Sequence, residues 1–220
     1  VYPVCLNITG RLCVVVGGGT VAERKVRGLL AAGAKVKIIS PKLSLYLQQL
    51  VTKTQVDWIN RQYHSGDIAD AWLVFAATDN SEVQQRVLQE AEQAGQPVNV
   101  VDLPERCSFQ VPAVVRRGDL TLTVSTNGKS PAVSAMIRRK LEGHFGREYD
   151  LLLQLMSLIR DQLLGSDLDY SERKKIFNSL LHEDIIGWIA EEKWDILRNH
   201  LQNILGEDVH FDISQLGRDA

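Results

Sequence analysis

Regular patterning begins with an unbroken apolar run, Leu12-Cys13-Val14-Val15-Val16, that stops at Gly17-Gly18-Gly19. A short continuous run bounded by glycine, without alternation, predicts a strand buried on both faces. Residues 20–32 change period. Val21, Leu29 and Leu30 fall on helical spacing with Glu23, Arg24, Lys25 and Arg27 between them, and Gly33 supplies the stop. Val36 to Ser40 predicts a second strand, ended by Pro41. Strand, glycine turn, helix and strand thus form one βαβ unit.

The alternation runs on to residue 101. Val56 to Ile59 predicts a third short strand and Trp72 to Ala76 a fourth. Residues 80–94 predict an amphipathic helix with Val83, Val87 and Ala91 on one stripe, ended by Gly95 and Pro97, and Val98 to Val101 a fifth strand. Strands alternating with helices imply a parallel sheet covered by helices on both faces. After Asp102 the pattern changes. Phe109 to Val115 and Leu120 to Ser125 are strand-like, with Arg116-Arg117-Gly118-Asp119 between them, which reads as a hairpin. Ser130-Pro131 opens a helix, since serine suits the N-cap and proline the first helical position. From about 146 to 204, Leu, Ile and Met stripes at helical spacing predict helix alone.

The expected fold class is α/β. A Rossmann-like doubly wound parallel sheet occupies residues 1–112. A small β-hairpin/helix dimerisation segment follows over 113–145, and an all-helical C-terminal domain over 146–220. The middle segment carries strand edges that seek a partner, so a homodimer is expected.

Composition narrows the function classes. The chain has 220 residues, 45% apolar and 24% charged, enough for a core and unlike a disordered chain. A net charge of −2 argues against a general nucleic-acid binder. Cys5, Cys13 and Cys107 are odd in number and widely spaced, which gives neither a disulfide framework nor a zinc ribbon. A reduced, cytoplasmic protein is the simple reading. No apolar run reaches the ~18 residues of a membrane span, and the first residues lack the basic start and small-residue cleavage site of a secretory signal.

The strongest local motif is Gly17-Gly18-Gly19-Thr20-Val21-Ala22, which fits G-x-G-x-x-G/A between a strand and a helix. Gly17 would make the tight turn, Gly19 would let a pyrophosphate approach the backbone, and Ala22 would let helix and sheet pack closely. The helix N-terminus would offer free N–H groups and a partial positive charge to the phosphates. The acid that usually ends the second strand to hold ribose hydroxyls is absent, for Ser40-Pro41-Lys42 stands there. Ser40 can bond a ribose and Lys42 can attract a 2′-phosphate, so this position does not separate NAD from NADP.

Two further strand ends are candidates, because open α/β sheets bind ligands at the carboxyl ends of their strands. Ala76-Ala77-Thr78-Asp79 offers small residues beside a nicotinamide, although Thr78 or Asp79 can equally cap the next helix. Asn99-Val100-Val101-Asp102 brings a carboxylate to the same edge, able to act as a base or merely to cap a turn. Gly128-Lys129-Ser130 is not a Walker A loop, because Thr123 stands where its first glycine should be and Pro131 follows. His182-Glu183 continues to no second histidine at zincin spacing, so no metal site is expected. Residues 113–148 hold seven basic side chains against three acidic ones, +4 in a chain of −2, which suits a polyanionic ligand as well as a solvated face.

Taken together, the motifs resemble the siroheme synthase N-terminal-type family, precorrin-2 dehydrogenase/sirohydrochlorin ferrochelatase. Gly17 to Lys25 resembles its opening, Ala76 to Asp79 its second block, and Asn99 to Asp102 with Ser108-Phe109 and Pro112 its third. Ser125-Thr126-Asn127-Gly128-Lys129-Ser130-Pro131 resembles the fourth. The resemblance implies a stand-alone form without the methyltransferase domain fused in some relatives. It implies NAD-dependent oxidation of precorrin-2 to sirohydrochlorin, with ferrous iron insertion in some members, and a homodimer. It assigns Asp102 as the catalytic group and Thr20, Val21, Pro41 and Lys42 to the dinucleotide; the motif and the strand ends add Gly17, Gly18, Gly19, Ser40 and Thr78. Asn99, Ser125, Thr126, Lys129, Arg116 and Arg138 are the candidates for the tetrapyrrole. A phosphorylatable serine of one branch falls at Thr126. The competing class is a dinucleotide-sensing module with a helical partner-binding tail, which leaves Asp102 and the basic segment without a role.

Overall fold

The structure is a computed structural model that describes residues 1–166 and 168–206. It divides into two compact units, Val1–Val111 and Pro112 onward.

The first unit is built on five parallel strands, β1 (Leu12–Val16), β2 (Lys35–Ile39), β3 (Asp57–Ile59), β4 (Leu73–Ala76) and β5 (Val98–Val100). Their spatial order is β3-β2-β1-β4-β5, so the chain reverses direction of winding between β1 and β4. The helices are α1 (Thr20–Ala31), α2 (Leu45–Thr52) and α3 (Ser81–Gln93). Adjacent residues of β1 feed two cores. Cys13 and Val15 join Ala22, Val26 and Leu29 of α1 and Leu47 and Leu50 of α2. Val14 and Val16 join Val83, Val87, Leu88 and Ala91 of α3. Successive residues on a strand face opposite sides and residues two apart share one, so both faces are covered and the unbroken apolar run is explained. Each such valine, fully buried, contributes roughly 1.5–3 kcal/mol.

The ladder registers align the carboxyl ends of the strands. Val16 pairs with both Ile39 and Ala76, and Ala76 with Val100. The segments after these four residues therefore leave the sheet side by side, at the crevice where a doubly wound sheet binds ligands.

Three local expectations change. The sequence reading passed over α2, whose N-cap Ser44 accepts from Leu47 N. The hairpin strands are β6 (Ala113–Arg117) and β7 (Leu120–Val124). Arg116 and Arg117 are paired with Thr121 and Leu120, so the turn is Gly118-Asp119 alone. Phe109 does not begin β6, because its carbonyl accepts from Asn99 Nδ2 along β5 (3.0 Å).

The second unit holds this hairpin and α4 (Pro131–His144), followed by α5 (Arg147–Leu164), α6 (Tyr170–Leu180), α7 (Ile185–Ala190) and α8 (Trp194–Leu205). Leu155, Ile159, Leu180, Leu197 and Leu201 are fully buried among the later helices. The domain expected to run to residue 220 extends past the described residues. No helix among the described residues is long and apolar enough to cross a membrane.

Candidate active site

The glycine loop is shaped by its neighbours. Gly17 has φ +124, and a Cβ there would lie 2.1 Å from Ala77 O. Gly18 is equally constrained, for its Cβ would meet Lys42 O at 2.0 Å; the sequence motif leaves that position free. A Cβ at Gly19 would meet nothing within 4 Å. Gly19 is the N-cap of α1 and provides no side-chain cap. The Thr20 and Val21 amides have no acceptor among the described residues, so the positive end of the helix dipole faces open space. A cradle without side chains before an uncapped helix N-terminus fits a dinucleotide pyrophosphate. Ala22 is fully buried beneath it, and Val21 packs partly against the same core.

The segment after β2 is less open than expected. Ser40 is buried, and its hydroxyl donates to Lys42 O (2.7 Å). That proton holds the turn and is not available to a ribose. Pro41 and Lys42 are exposed. The turn is tied to the loop by Ser44 N, which donates to Gly18 O (2.8 Å). Glu23 on α1 accepts from Ser44 Oγ (2.9 Å) and pairs with Arg27 (2.7 Å).

After β4, neither Thr78 nor Asp79 caps α3. Asn80 is the N-cap, accepting from Val83 N (3.0 Å). Thr78 Oγ1 accepts from Asn80 N (3.3 Å). After β5, Asp102 is exposed with φ +65, a left-handed conformation that costs an L-residue about 1–2 kcal/mol. Its carboxylate has no hydrogen-bond partner among the described residues, and the 3₁₀ turn that follows (Pro104–Arg106) takes no side-chain cap. The capping role is thereby excluded among the described groups.

Gln84 is the polar residue that the sequence reading missed. It lies on α3, buried beside Val83 and Val87, and its Nε2 donates to Thr78 O (2.6 Å) and Val101 O (3.4 Å). Its signal was a glutamine set against the apolar stripe. Asn99, expected to contact substrate, is buried with its amide on Phe109 O. Phe109 stacks edge-on against Phe75 (5.3 Å), and Lys25 lies over the Phe75 ring (5.5 Å). Burial first, then the neighbouring Arg24 charge, lowers the Lys25 pKa from its ordinary value.

The remaining candidates lie in the second unit. Ser125, Thr126 and Lys129 share the loop before α4. Thr126 Oγ1 accepts from Ser130 N (3.1 Å) and is 3.1 Å from Ser134 Oγ, so that hydroxyl braces the helix start. Ser125 Oγ accepts from Asn127 N (3.1 Å). Arg116 and Lys129 are exposed, whereas Arg138 is engaged with Glu142 one turn along α4. Surface pairs of this kind are worth about 0–1 kcal/mol and exchange readily for another anion. No cluster of three or more His, Cys, Asp or Glu fit to hold a metal occurs among the described residues.

The glycine cradle, the uncapped α1 and the level strand ends define a Rossmann-type, nucleotide-binding class of fold. Residues 4–113 match the family model described as putative NAD(P)-binding, and residues 117–144 the one described as sirohaem biosynthesis protein central. The siroheme synthase of Mannheimia succiniciproducens is 34% identical over 94% of this chain and 44% of its own length. That of Nitrosococcus oceani is 39% identical over 86% of this chain and 40% of its own length. A solved structure titled SirC, precorrin-2 dehydrogenase, superposes with a TM-score of 0.80 at 24% identity, covering 93% of this chain and 98% of that one. The chain belongs to the siroheme synthase N-terminal-type family. It spans less than half the length of these two siroheme synthases.

Proposed function

We propose that this chain oxidises precorrin-2 to sirohydrochlorin in siroheme biosynthesis, with NAD as the hydride acceptor. One observation carries the reading. An uncapped helix N-terminus over a side-chain-free cradle and an unpartnered, exposed carboxylate stand at the same edge of one sheet, in a chain whose relatives are siroheme synthases.

A bound nicotinamide dinucleotide supplies the acceptor for the hydride. The chain's own groups do the rest. Gly17 and Gly18 let the loop pack against Ala77 O and Lys42 O, Gly19 leaves room for the pyrophosphate, and the Thr20 and Val21 amides would donate to it. Asp102 accepts the proton that leaves the substrate as conjugation extends, which is general-base work. Arg116, Lys129 and, after exchange from Glu142, Arg138 attract the substrate's carboxylates. The same aspartate would take ring N–H protons in a second reaction, insertion of ferrous iron, with the iron as substrate.

Incubation with precorrin-2 and NAD⁺, then with ferrous iron, followed by absorption spectra, tests both steps. The expected result is conversion to the sirohydrochlorin spectrum in the first stage. An unchanged spectrum with a dinucleotide still bound would favour the sensing module. The ratio of kcat/KM for NAD and NADP tests the cofactor, and a clear preference for NADP would overturn that part.

A further inference from the structure

Asp102 holds a left-handed backbone conformation while its own side chain bonds to nothing among the described residues. Strained positions of this kind persist only where the surroundings over-determine them. The fixing contacts lie at its neighbours. Val101 N donates to Ala76 O (3.0 Å), which extends the β4–β5 ladder by one residue. Val101 O accepts from Gln84 Nε2. On the other side of the turn, Cys107 Sγ accepts from Val100 N (3.2 Å). It also lies within reach of Val100 O (3.2 Å) and Leu103 O (3.3 Å), to one of which its single proton is donated. Residues 100, 101 and 103 are therefore all anchored, and 102 alone projects.

The Gln84 contact does more than close a turn. An amide nitrogen has two protons, and here one goes to Thr78 O at the end of β4 and the other to Val101 O at the end of β5. One rigid planar group thus fixes the spacing of the two strand ends. Its own place is set by Val83, Val87 and Leu88, buried on the same helix. Both anchors belong to the first unit.

We propose that Gln84 and Cys107 are positioning residues for the proton-accepting carboxylate, holding the Val100–Leu103 turn so that Asp102 projects at a fixed distance from the Thr78 segment. The proposal rests on the reading of Asp102 as the base. A displacement of about 1 Å at a reacting group can cost on the order of 100-fold in rate, so loosening the turn acts on kcat without touching the glycine cradle.

A double-mutant cycle in the full chain tests it. Gln84→Met keeps the shape and removes both donors, Cys107→Ala removes the thiol, and Cys107→Ser restores a donor and acceptor. Each is combined with Asp102→Asn. Steady-state kcat with precorrin-2, calorimetric affinity for NAD⁺ and a melting curve are recorded for each. Gln84→Met and Cys107→Ala are expected to lower kcat between about 10- and about 100-fold, and Cys107→Ser to recover most of it. Cys107→Ala is expected to bind NAD⁺ as the parent does. In the Asp102→Asn background the same changes should add little, because they act through the carboxylate they hold.

Parental kcat in folded Gln84→Met and Cys107→Ala, with Asp102→Asn still impaired, would overturn the positioning role and leave the base in place. Losses that multiply in full in the Asp102→Asn background would also overturn it, as a general structural effect. An Asp102→Asn variant as active as the parent would instead sink the reading beneath. If Gln84→Met does not fold, the Cys107 pair carries the cycle. If neither anchor can be removed without unfolding, the two residues are structural and the proposal fails.

Discussion

Gly17 and Gly19 sit two residues apart in one loop, yet substitution there has opposite consequences. A Cβ at Gly17 collides with a backbone carbonyl at 2.1 Å, and its φ of +124 is closed to other residues. Gly17→Ala should cost the fold at least about 1–3 kcal/mol and lower the melting temperature. Gly19 faces open space, so Gly19→Asp should melt like the parent and lose its affinity for NAD⁺ through clash and like charge. Calorimetry beside a melting curve separates the two, and unchanged affinity in Gly19→Asp would remove the loop from the site. A second residue-scale outcome concerns Cys13, whose thiol burial pushes up to about 11 from an ordinary 9.0. The unfolded chain releases that proton first. The contribution is therefore complete below about pH 9 and lost as pH rises through about 11. The stability advantage of the parent over Cys13→Ala, from urea midpoints, should shrink between those values, and a constant difference would contradict it. At this scale the glycine motif marks Gly17 and Gly19, and the end of the fifth strand marks Asp102. Gly18 is expected there only as a dinucleotide residue; its crowding comes from Lys42 O, a contact made only when the segment after β2 folds back.

The elements were legible where their period was long or their boundaries chemical. The five strands and helices α1, α3 and α4 follow from apolar runs, glycine stops and the Ser130-Pro131 start. α2 has only eight residues, too few turns for a period to emerge, although Ser44 was a usable N-cap signal. The hairpin turn was drawn too wide because Arg116 and Arg117 look like turn residues by charge, while their backbones remain in the β6–β7 ladder. The caps were the least legible feature. The sequence offers Thr78 or Asp79 as the cap of α3, whereas Asn80 takes that role in the structure. At the start of α4 the expectation is specific: Ser130 accepts from Val133 N (3.2 Å). Ser130→Ala should cost about 0.5–2 kcal/mol in denaturant unfolding, and a shift below that range would mean that Thr126 holds the helix start by itself.

For the whole molecule, the proposed dimer contact and the proposed proton transfer rest on different units. The second unit exposes Val133 and Met136 on α4, beside a two-stranded sheet with no further strand among the described residues. An apolar helix face next to strand edges is what a second copy would cover. Sedimentation at micromolar concentration should give a homodimer, and a monomer there would sink that proposal. None of this was visible as contact in the sequence. What was visible was a basic stretch and a hairpin pattern, because long-range burial leaves no local period.

The central claim concerns the first unit: a carboxylate at the end of β5 removes a proton from the substrate, and the glycine cradle would hold the dinucleotide that serves as hydride acceptor. Its most direct test is the rate of precorrin-2 oxidation by Asp102→Asn, with NAD⁺ affinity and the melting curve measured on the same sample. The exposed, unbonded side chain means that the amide should fold and bind NAD⁺ as the parent does. The rate should fall by about 10²–10⁴-fold, the contribution of a general base. A folded Asp102→Asn protein that binds NAD⁺ and oxidises precorrin-2 at the parental rate would contradict the account.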